Sequence, residues 1–258
     1  MAEFQHMDGS KVASPITAVV GNSIHLKVIS GSKEALPSIS ASPESIAKVS
    51  HIDERKKQDF TTFHLDAVAA GKASLKATDA KKTPVAGPLD IVVEDQVALP
   101  DAGKDAGLLV RLFLAEVPSP EEAGYRLVDA KTSMIWMRVV VLNRLATPSP
   151  IWGSKGVKSL ADVIRAKGQF KGFEKYPTID HGVRKSIDEA VSIANDGDDT
   201  RRSEYKEFVD TALAVATQPT VKDPSQNGLF WWRTAGHGSP TSDATFFMTK
   251  LGNTFFTR

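Results

Sequence analysis

The chain has 258 residues, is 41% hydrophobic, carries a formal charge of +1 and contains no cysteine. That length suits one large domain or two ordinary ones. Disulfides, thiolate catalysis and thiolate metal sites are excluded. The near-balance of charge argues against a broad electrostatic nucleic-acid surface and leaves room only for local basic patches.

The opening stretch, MAEFQHMDGS, lacks the apolar core of a signal peptide. Its Glu3-Phe4 and His6-Met7 look like cloning-site residue. Residues 1–14 are therefore expected to lie outside the fold, disordered, with the native start elsewhere.

From Pro15 to Asp95 the pattern predicts β-structure. Ile24, Leu26 and Val28 alternate with His25 and Lys27. Phe63, Leu65 and Ala67 alternate with His64 and Asp66. Ala73, Leu75 and Ala77 repeat the pattern, and Leu89, Ile91 and Val93 close it. Turn signals stand between these runs at Gly21-Asn22, Ser42-Pro43, Gly71-Lys72 and Gly87-Pro88. Short alternating strands at this spacing predict a small β-sandwich over residues 15–95. His25, His51 and His64 lack a recognisable metal-site spacing and are expected to face solvent.

Three features of this region resemble the bacterial immunoglobulin-like modules. They are Gly21-Asn22-Ser23, the run from Ala47 to Ser50, and the run from Ala69 to Ala77 with its G-x-A-x-L-x-A pattern. The resemblance implies a module that spaces, docks or binds.

Residues 96–106 read as a linker, mixing acids, glycine, alanine and proline without periodicity. Residues 107–258 have the texture of helices. Leu108–Glu116 places Leu109, Leu112 and Phe113 seven, four and three residues before Glu116, so all four share one helix face. An apolar face points inward and carries Glu116 with it. A carboxyl group in apolar surroundings resists ionising and becomes a usable general acid near neutral pH. Pro118 and Pro120 end the helix beside it. The competing reading is a surface or capping glutamate.

Thr132–Leu145 is apolar nearly all round and belongs at the centre of a domain, although Arg138 interrupts it and it is too short to cross a bilayer. Ser159 followed by Asp162 marks a helix start, with Gly168 as its stop. Val183–Asn195 and Glu204–Thr217 are amphipathic, and Pro219 ends the second. The remainder is expected to hold loops and a short hairpin, Thr245–Leu251 with Thr254–Arg258, turning at Gly252-Asn253.

Four ordered segments of this second part resemble the SleB-like cell-wall hydrolases, the family of spore-cortex-lytic enzymes. Arg111-Leu112-Phe113-Leu114-Ala115-Glu116 is similar to the family's helix end carrying the catalytic glutamate. Met137 to Arg144 is similar to its A-x-V-V-L-N-R run, and Gly168-Gln169-Phe170 to its x-Q-F. Asp223-Pro224 through Trp231, then Lys250 through Phe256, are similar to its D-P-T-x-G-A-x-x-F and K-I-G-N-H-x-F. The likeness spans Leu108–Arg258. Departures are Glu116-Val117-Pro118 in place of E-A-R-G-E, longer stretches at Tyr125–Lys131 and Asp196–Arg202, and Thr254 in place of histidine.

The resemblance implies a mainly α, lysozyme-like second domain closed by a short β-hairpin. It also implies cleavage of peptidoglycan between N-acetylmuramic acid and N-acetylglucosamine, by a lytic transglycosylase or a muramidase. Glu116 would serve as general acid and then base. Gln169, Phe170, Tyr176 and Trp231 would line the substrate groove, with Trp232 a second ring for stacking. Glu121, Glu122 and Glu174 are the candidates for a second carboxylate. Asn143 is expected to be structural, and Asn253 to take a positive-φ turn position. No cofactor or metal is called for, nor any nucleic-acid partner or membrane insertion.

The expected partner is peptidoglycan, joined by an immunity protein or a secretion-apparatus component if the chain is an antibacterial effector. A phage lysin or remodelling enzyme fits almost as well. The expected place of action is the periplasm or cell wall, after secretion or delivery. The alternative is a non-catalytic wall-binding or adhesin-like protein.

Overall fold

The structure, a computed structural model, describes residues 2–30, 36–55, 59–152 and 156–258. It divides into two compact units. The first holds residues 1–96 with Asn195–Thr200, the second residues 97–194 and 201–258.

The first unit is a β-sandwich with eight strands among the described residues. β1 (Glu3–His6), β3 (Ser23–Ile29), β6 (Phe60–Ala67) and β5 (Ala47–Arg55) form one sheet in the order β1-β3-β6-β5. β2 (Ile16–Val19), β8 (Pro84–Glu94), β7 (Gly71–Thr78) and β4 (Ser38–Ser42) form the other, in the order β2-β8-β7-β4. All pairs are antiparallel except β2 with β8.

The alternation in sequence becomes the two faces of each strand. Along β3, Ile24, Leu26 and Val28 are buried and meet Leu65, Phe63 and Thr61 of β6 in register. On β7, Ala73, Leu75 and Ala77 point inward while Lys72 and Lys76 stay exposed. Each large aliphatic side chain fully buried in this way contributes about 1.5–3 kcal/mol.

Residues 1–14 are not outside this fold. β1 pairs with β3, and Phe4 is buried edge-on against Phe63. The aromatic ring at an inward strand position supplies the burial that the polar composition around it conceals.

The second unit is not the mainly α, lysozyme-like domain with a short closing hairpin that the sequence suggests. Among the described residues strand and helix are balanced, at 30% and 29%, in a β-sandwich type of protein with helices in its C-terminal half. Those helices are α1 (Asp105–Glu116), α2 (Leu127–Ala146), α3 (Leu160–Arg165), α4 (His181–Asn195) and α5 (Arg202–Thr217). They are joined by a three-stranded antiparallel sheet, β9 (Leu229–Thr234), β10 (Thr245–Lys250) and β11 (Asn253–Thr257), in the order β10-β11-β9.

The additional strand, β9, is a short aromatic run without polar alternation, between Gly228 and a Gly/Ser/Pro-rich loop. Its pairing partner decides its state: Trp231 and Trp232 stand opposite Phe256 and Phe255 of β11. The hairpin turn falls at Leu251-Gly252, both at positive φ (38° and 72°), the conformation that two-residue hairpin turns require.

The linker tail folds as well. Gly107 lies inside α1, and a Cβ placed there would run into the carbonyl of Asp101. Only glycine lets the chain before α1 double back so closely. Leu108, Leu109, Leu112 and Phe113 are buried against a core that includes Met134, Met137, Val141, Phe208 and Val209. Arg138, which breaks the apolar run of α2, donates from Nη1 to the carbonyls of Val215 and Gln218, both at 2.7 Å. It thereby satisfies carbonyls at the end of α5. No helix among the described residues is long and apolar enough to cross a membrane.

Candidate functional site

Glu116 is the last residue of α1, and the amide of Val117 closes the helix on the carbonyl of Phe113 at 3.0 Å. Behind the turn lies a cavity of about 470 Å³, lined by Glu116 with Pro118, Glu121, Glu189, Tyr205 and Asn253 among others. That volume lies in the range of small-ligand sites. The helix ends here because Pro118 cannot continue it, so the carboxylate sits at the mouth of its own C-terminus.

Glu116 is held at both ends. Its side-chain Oε2 accepts from Trp232 Nε1 at 3.3 Å, and its backbone carbonyl accepts from Asn253 Nδ2 at 3.1 Å. Burial raises its carboxyl above the usual range, and the indole hydrogen bond pulls back against that rise. Such a carboxyl group can carry a proton closer to neutrality than a solvated glutamate can.

The second-carboxylate candidates separate. Glu121 and Glu122 line the same cavity, and Glu121 is engaged by Arg201 Nη1 at 2.5 Å and by the Tyr205 hydroxyl at 3.2 Å. Glu174 accepts from the Gly172 amide at 2.9 Å and is not among the lining residues. Glu189, on α4, does line the cavity. No sequence signal ties it to Glu116, because the two meet only through helix packing.

The expected groove residues are dispersed. Gln169 accepts from Arg144 Nη1 at 3.1 Å. Phe170 is buried against Trp232, with ring centroids 5.1 Å apart, and under the Arg144 guanidinium at 5.4 Å. Only Phe170 reaches Glu116, through an intermediary: it braces Trp232, which holds the carboxylate. Tyr176 is buried, and its hydroxyl donates to the Ala102 carbonyl at 2.6 Å, a tie to the chain before α1. Trp231 packs in a small cluster with Phe230 and Phe256. Neither Tyr176 nor Trp231 lines the cavity, and the tryptophan beside Glu116 is Trp232. A strand sends neighbouring side chains to opposite faces, so a one-residue choice within Trp231-Trp232 cannot be made without the register.

Arg144 is the buried cation that the motif contained but did not explain. It is 3% exposed, and burial pulls its guanidinium down to about 9. Besides Gln169 it donates from Nε to the Phe230 carbonyl at 2.6 Å, joining α2 to β9. Asn143 works beside it. Its Nδ2 donates to Asp223 Oδ2 at 2.6 Å and to the Leu229 carbonyl at 2.9 Å. Asn253 does not take the positive-φ turn position. It starts β11, buried, with its amide on Glu116.

In the first unit the structure gathers three histidines. His64 lies between His25 and His51, at ring-centroid distances of 4.6 and 4.9 Å. Among the described residues no group of three or more His, Cys, Asp or Glu side chains is arranged to hold a metal ion.

No family model matches the chain, and no curated protein matches it. Solved structures similar to it are distant. Domains 4 and 5 of the S-layer protein SbsC are 16% identical, with a TM-score of 0.26, over 31% of this chain and 47% of that one. The Lin-41 filamin domain is 16% identical, at 0.27, over 36% of this chain and 91% of its own. The BIgI domain of beta protein from S. agalactiae, bound to CEACAM1, is 14% identical, at 0.21, over 38% of this chain and 100% of its own. This chain therefore spans about half or less of the first S-layer chains it matches, 47% and 14%. Likeness at this level carries no argument about fold or activity.

Proposed function

We propose that the second unit cleaves peptidoglycan glycan strands between N-acetylmuramic acid and N-acetylglucosamine, with Glu116 as general acid and then base. The observation that carries this reading is the Glu116 carboxyl: desolvated, raised above the ordinary glutamate range, and set at the wall of a cavity of about 470 Å³. Glycosidic cleavage requires an acid that protonates the leaving oxygen. The ordered motif likeness from Arg111 to Phe256 supports the same chemistry.

In the transglycosylase variant the muramoyl 6-hydroxyl attacks, and the deprotonated Glu116 takes up its proton, so one carboxyl serves twice. In the muramidase variant water attacks and a second carboxylate assists. Glu121, Glu122 and Glu189 are the acids that share the cavity.

The site of action on this reading is the periplasm or cell wall, after secretion or delivery. An antibacterial effector would be toxic when expressed into the periplasm and harmless in the cytoplasm, and an immunity protein would suppress that toxicity. The Ig-like sandwich favours a second reading, a wall-binding or adhesin-like protein without catalysis.

Mass spectrometry of purified peptidoglycan treated with the wild-type chain and with Glu116→Gln separates these readings. Anhydro-muropeptides from the wild type alone identify a lytic transglycosylase, and reducing muropeptides a hydrolase. Intact glycan with both proteins, together with retained binding, refutes catalysis and leaves the binding module.

A further inference from the structure

We propose that Trp232 is a positioning residue for Glu116, its indole N–H holding Oε2 so that Oε1 is the oxygen that presents the proton to the cavity. This rests on the acid role of Glu116 proposed above. The geometry behind it is a clamped ring. Trp232 lies against Phe170 (5.1 Å, 40° between planes) and Phe255 (6.5 Å, 37°), and Phe255 is buried edge-on to Trp136 at 5.1 Å. β9 and β11 pair Trp232 with Phe255 in register, so the backbone holds the ring as well.

Trp232 is not among the cavity-lining residues, whereas Glu116 is, so the indole reaches the carboxylate from the core side. No hydrogen-bond partner holds Oε1 among the described residues. With the Asn253 amide on its backbone carbonyl, Glu116 has one oxygen engaged and one free.

An indole N–H can only donate, so it stabilises an unprotonated oxygen and leaves the proton to the other. It favours the carboxylate and limits the rise that burial imposes. Glu116 then loses its proton readily enough to return as a base in the second half of the reaction. The other titratable groups lining the same cavity are Glu121 and Glu122 from the following loop, Glu189 on α4 and Tyr205 on α5. β9 and β11 present the uncharged Thr234 and Asn253. Glu121 is paired with Arg201, and among the described residues the one hydrogen bond on the Glu116 carboxyl comes from the indole.

The test is a carbon-detected NMR titration of the intact chain with labelled glutamate carboxyls, the Glu116 signal being assigned by its loss in Glu116→Gln. Trp232→Phe keeps an aromatic ring in the clamp and removes the N–H. Phe170→Leu loosens the clamp and keeps the N–H. The expected result is an upward move of the Glu116 midpoint in Trp232→Phe and no such move in Phe170→Leu. Far-UV circular dichroism verifies that both variants are folded.

On peptidoglycan, kcat of Trp232→Phe should fall by up to about 10²-fold, the scale of loss when a reacting group is misplaced. The alkaline limb of its pH profile should move up with the midpoint. A Trp232→Phe midpoint that stays or falls overturns the assignment, as does an equal rise in Phe170→Leu. A rise in the midpoint with no turnover by the wild-type chain overturns the glycan-cleaving reading and leaves the Trp232–Glu116 pair standing. Turnover with an unmoved midpoint does the reverse.

Discussion

Replacing Asn143 by alanine should loosen the whole second unit, and the structure sets the scale. One amide nitrogen donates to the Asp223 carboxylate at 2.6 Å and to the Leu229 carbonyl at 2.9 Å, joining α2 to the loop that feeds β9. A hydrogen bond to a charged group contributes about 1.5–3 kcal/mol and one to a neutral carbonyl about 1 kcal/mol, so the loss should be about 2.5–4 kcal/mol. In a unit of this size that lowers Tm by roughly 5–16 °C.

All four tryptophans, Trp136, Trp152, Trp231 and Trp232, belong to the second unit, so urea unfolding followed by tryptophan fluorescence reports on it alone. Asp223 sharpens the test. Burial raises its carboxyl, but the hydrogen bonds from Ser225, Asn143 and Leu229 prevail and hold it below the usual aspartate range. Its contribution is therefore present above the unfolded aspartate value of about 3.9 and is lost as pH falls through the depressed folded value. Asn143→Asp would set two carboxylates face to face. Its destabilisation should be larger at pH 7 than at pH 4, where protonation relieves the repulsion. A loss below about 1 kcal/mol in Asn143→Ala, or an Asn143→Asp penalty independent of pH, would refute the linkage of α2 to β9 through this amide.

Glu116→Gln should abolish product release while stabilising the fold at neutral pH. The folded chain binds the Glu116 proton more tightly than the unfolded chain, so the contribution of Glu116 to stability falls as pH rises from about 4.3 through the raised folded value, by about 1.4 kcal/mol for each pH unit between them. Urea midpoints should show the variant gaining on the wild type between pH 4 and pH 8; an unchanged difference would contradict the raised carboxyl. Gly107→Ala should destabilise despite alanine's better helix propensity, because its Cβ meets the Asp101 carbonyl; thermal melts that show a gain in Tm would contradict this. Phe170→Ala empties a buried site between Trp232 and Arg144 and should cost about 3–5 kcal/mol in the same urea assay.

The candidate acid could be read from the chain because its signal is local. A 3.6-residue period places Leu109, Leu112, Phe113 and Glu116 together, and two prolines end the helix there, with no information needed from elsewhere. The strands of the first unit were legible for a similar reason, since a half-buried strand writes its two faces into alternate residues, as β3 and β7 do. Ser159 marked the start of α3, and in the fold its hydroxyl accepts from the Asp162 amide at 3.2 Å.

What tertiary structure decided is whatever depends on a partner far along the chain. β9 is a strand because β11 lies beside it, and β1 because β3 does. Trp232 rather than Trp231 meets Glu116 because register turns one of two adjacent rings toward α1. Tyr176 was drawn to the Ala102 carbonyl and away from the cavity, and Glu189 was brought into it by the packing of α4. Periodicity and capping are short-range and survive in the sequence. Strand pairing and the neighbours of a buried carboxylate are long-range contacts, and only the folded chain specifies them.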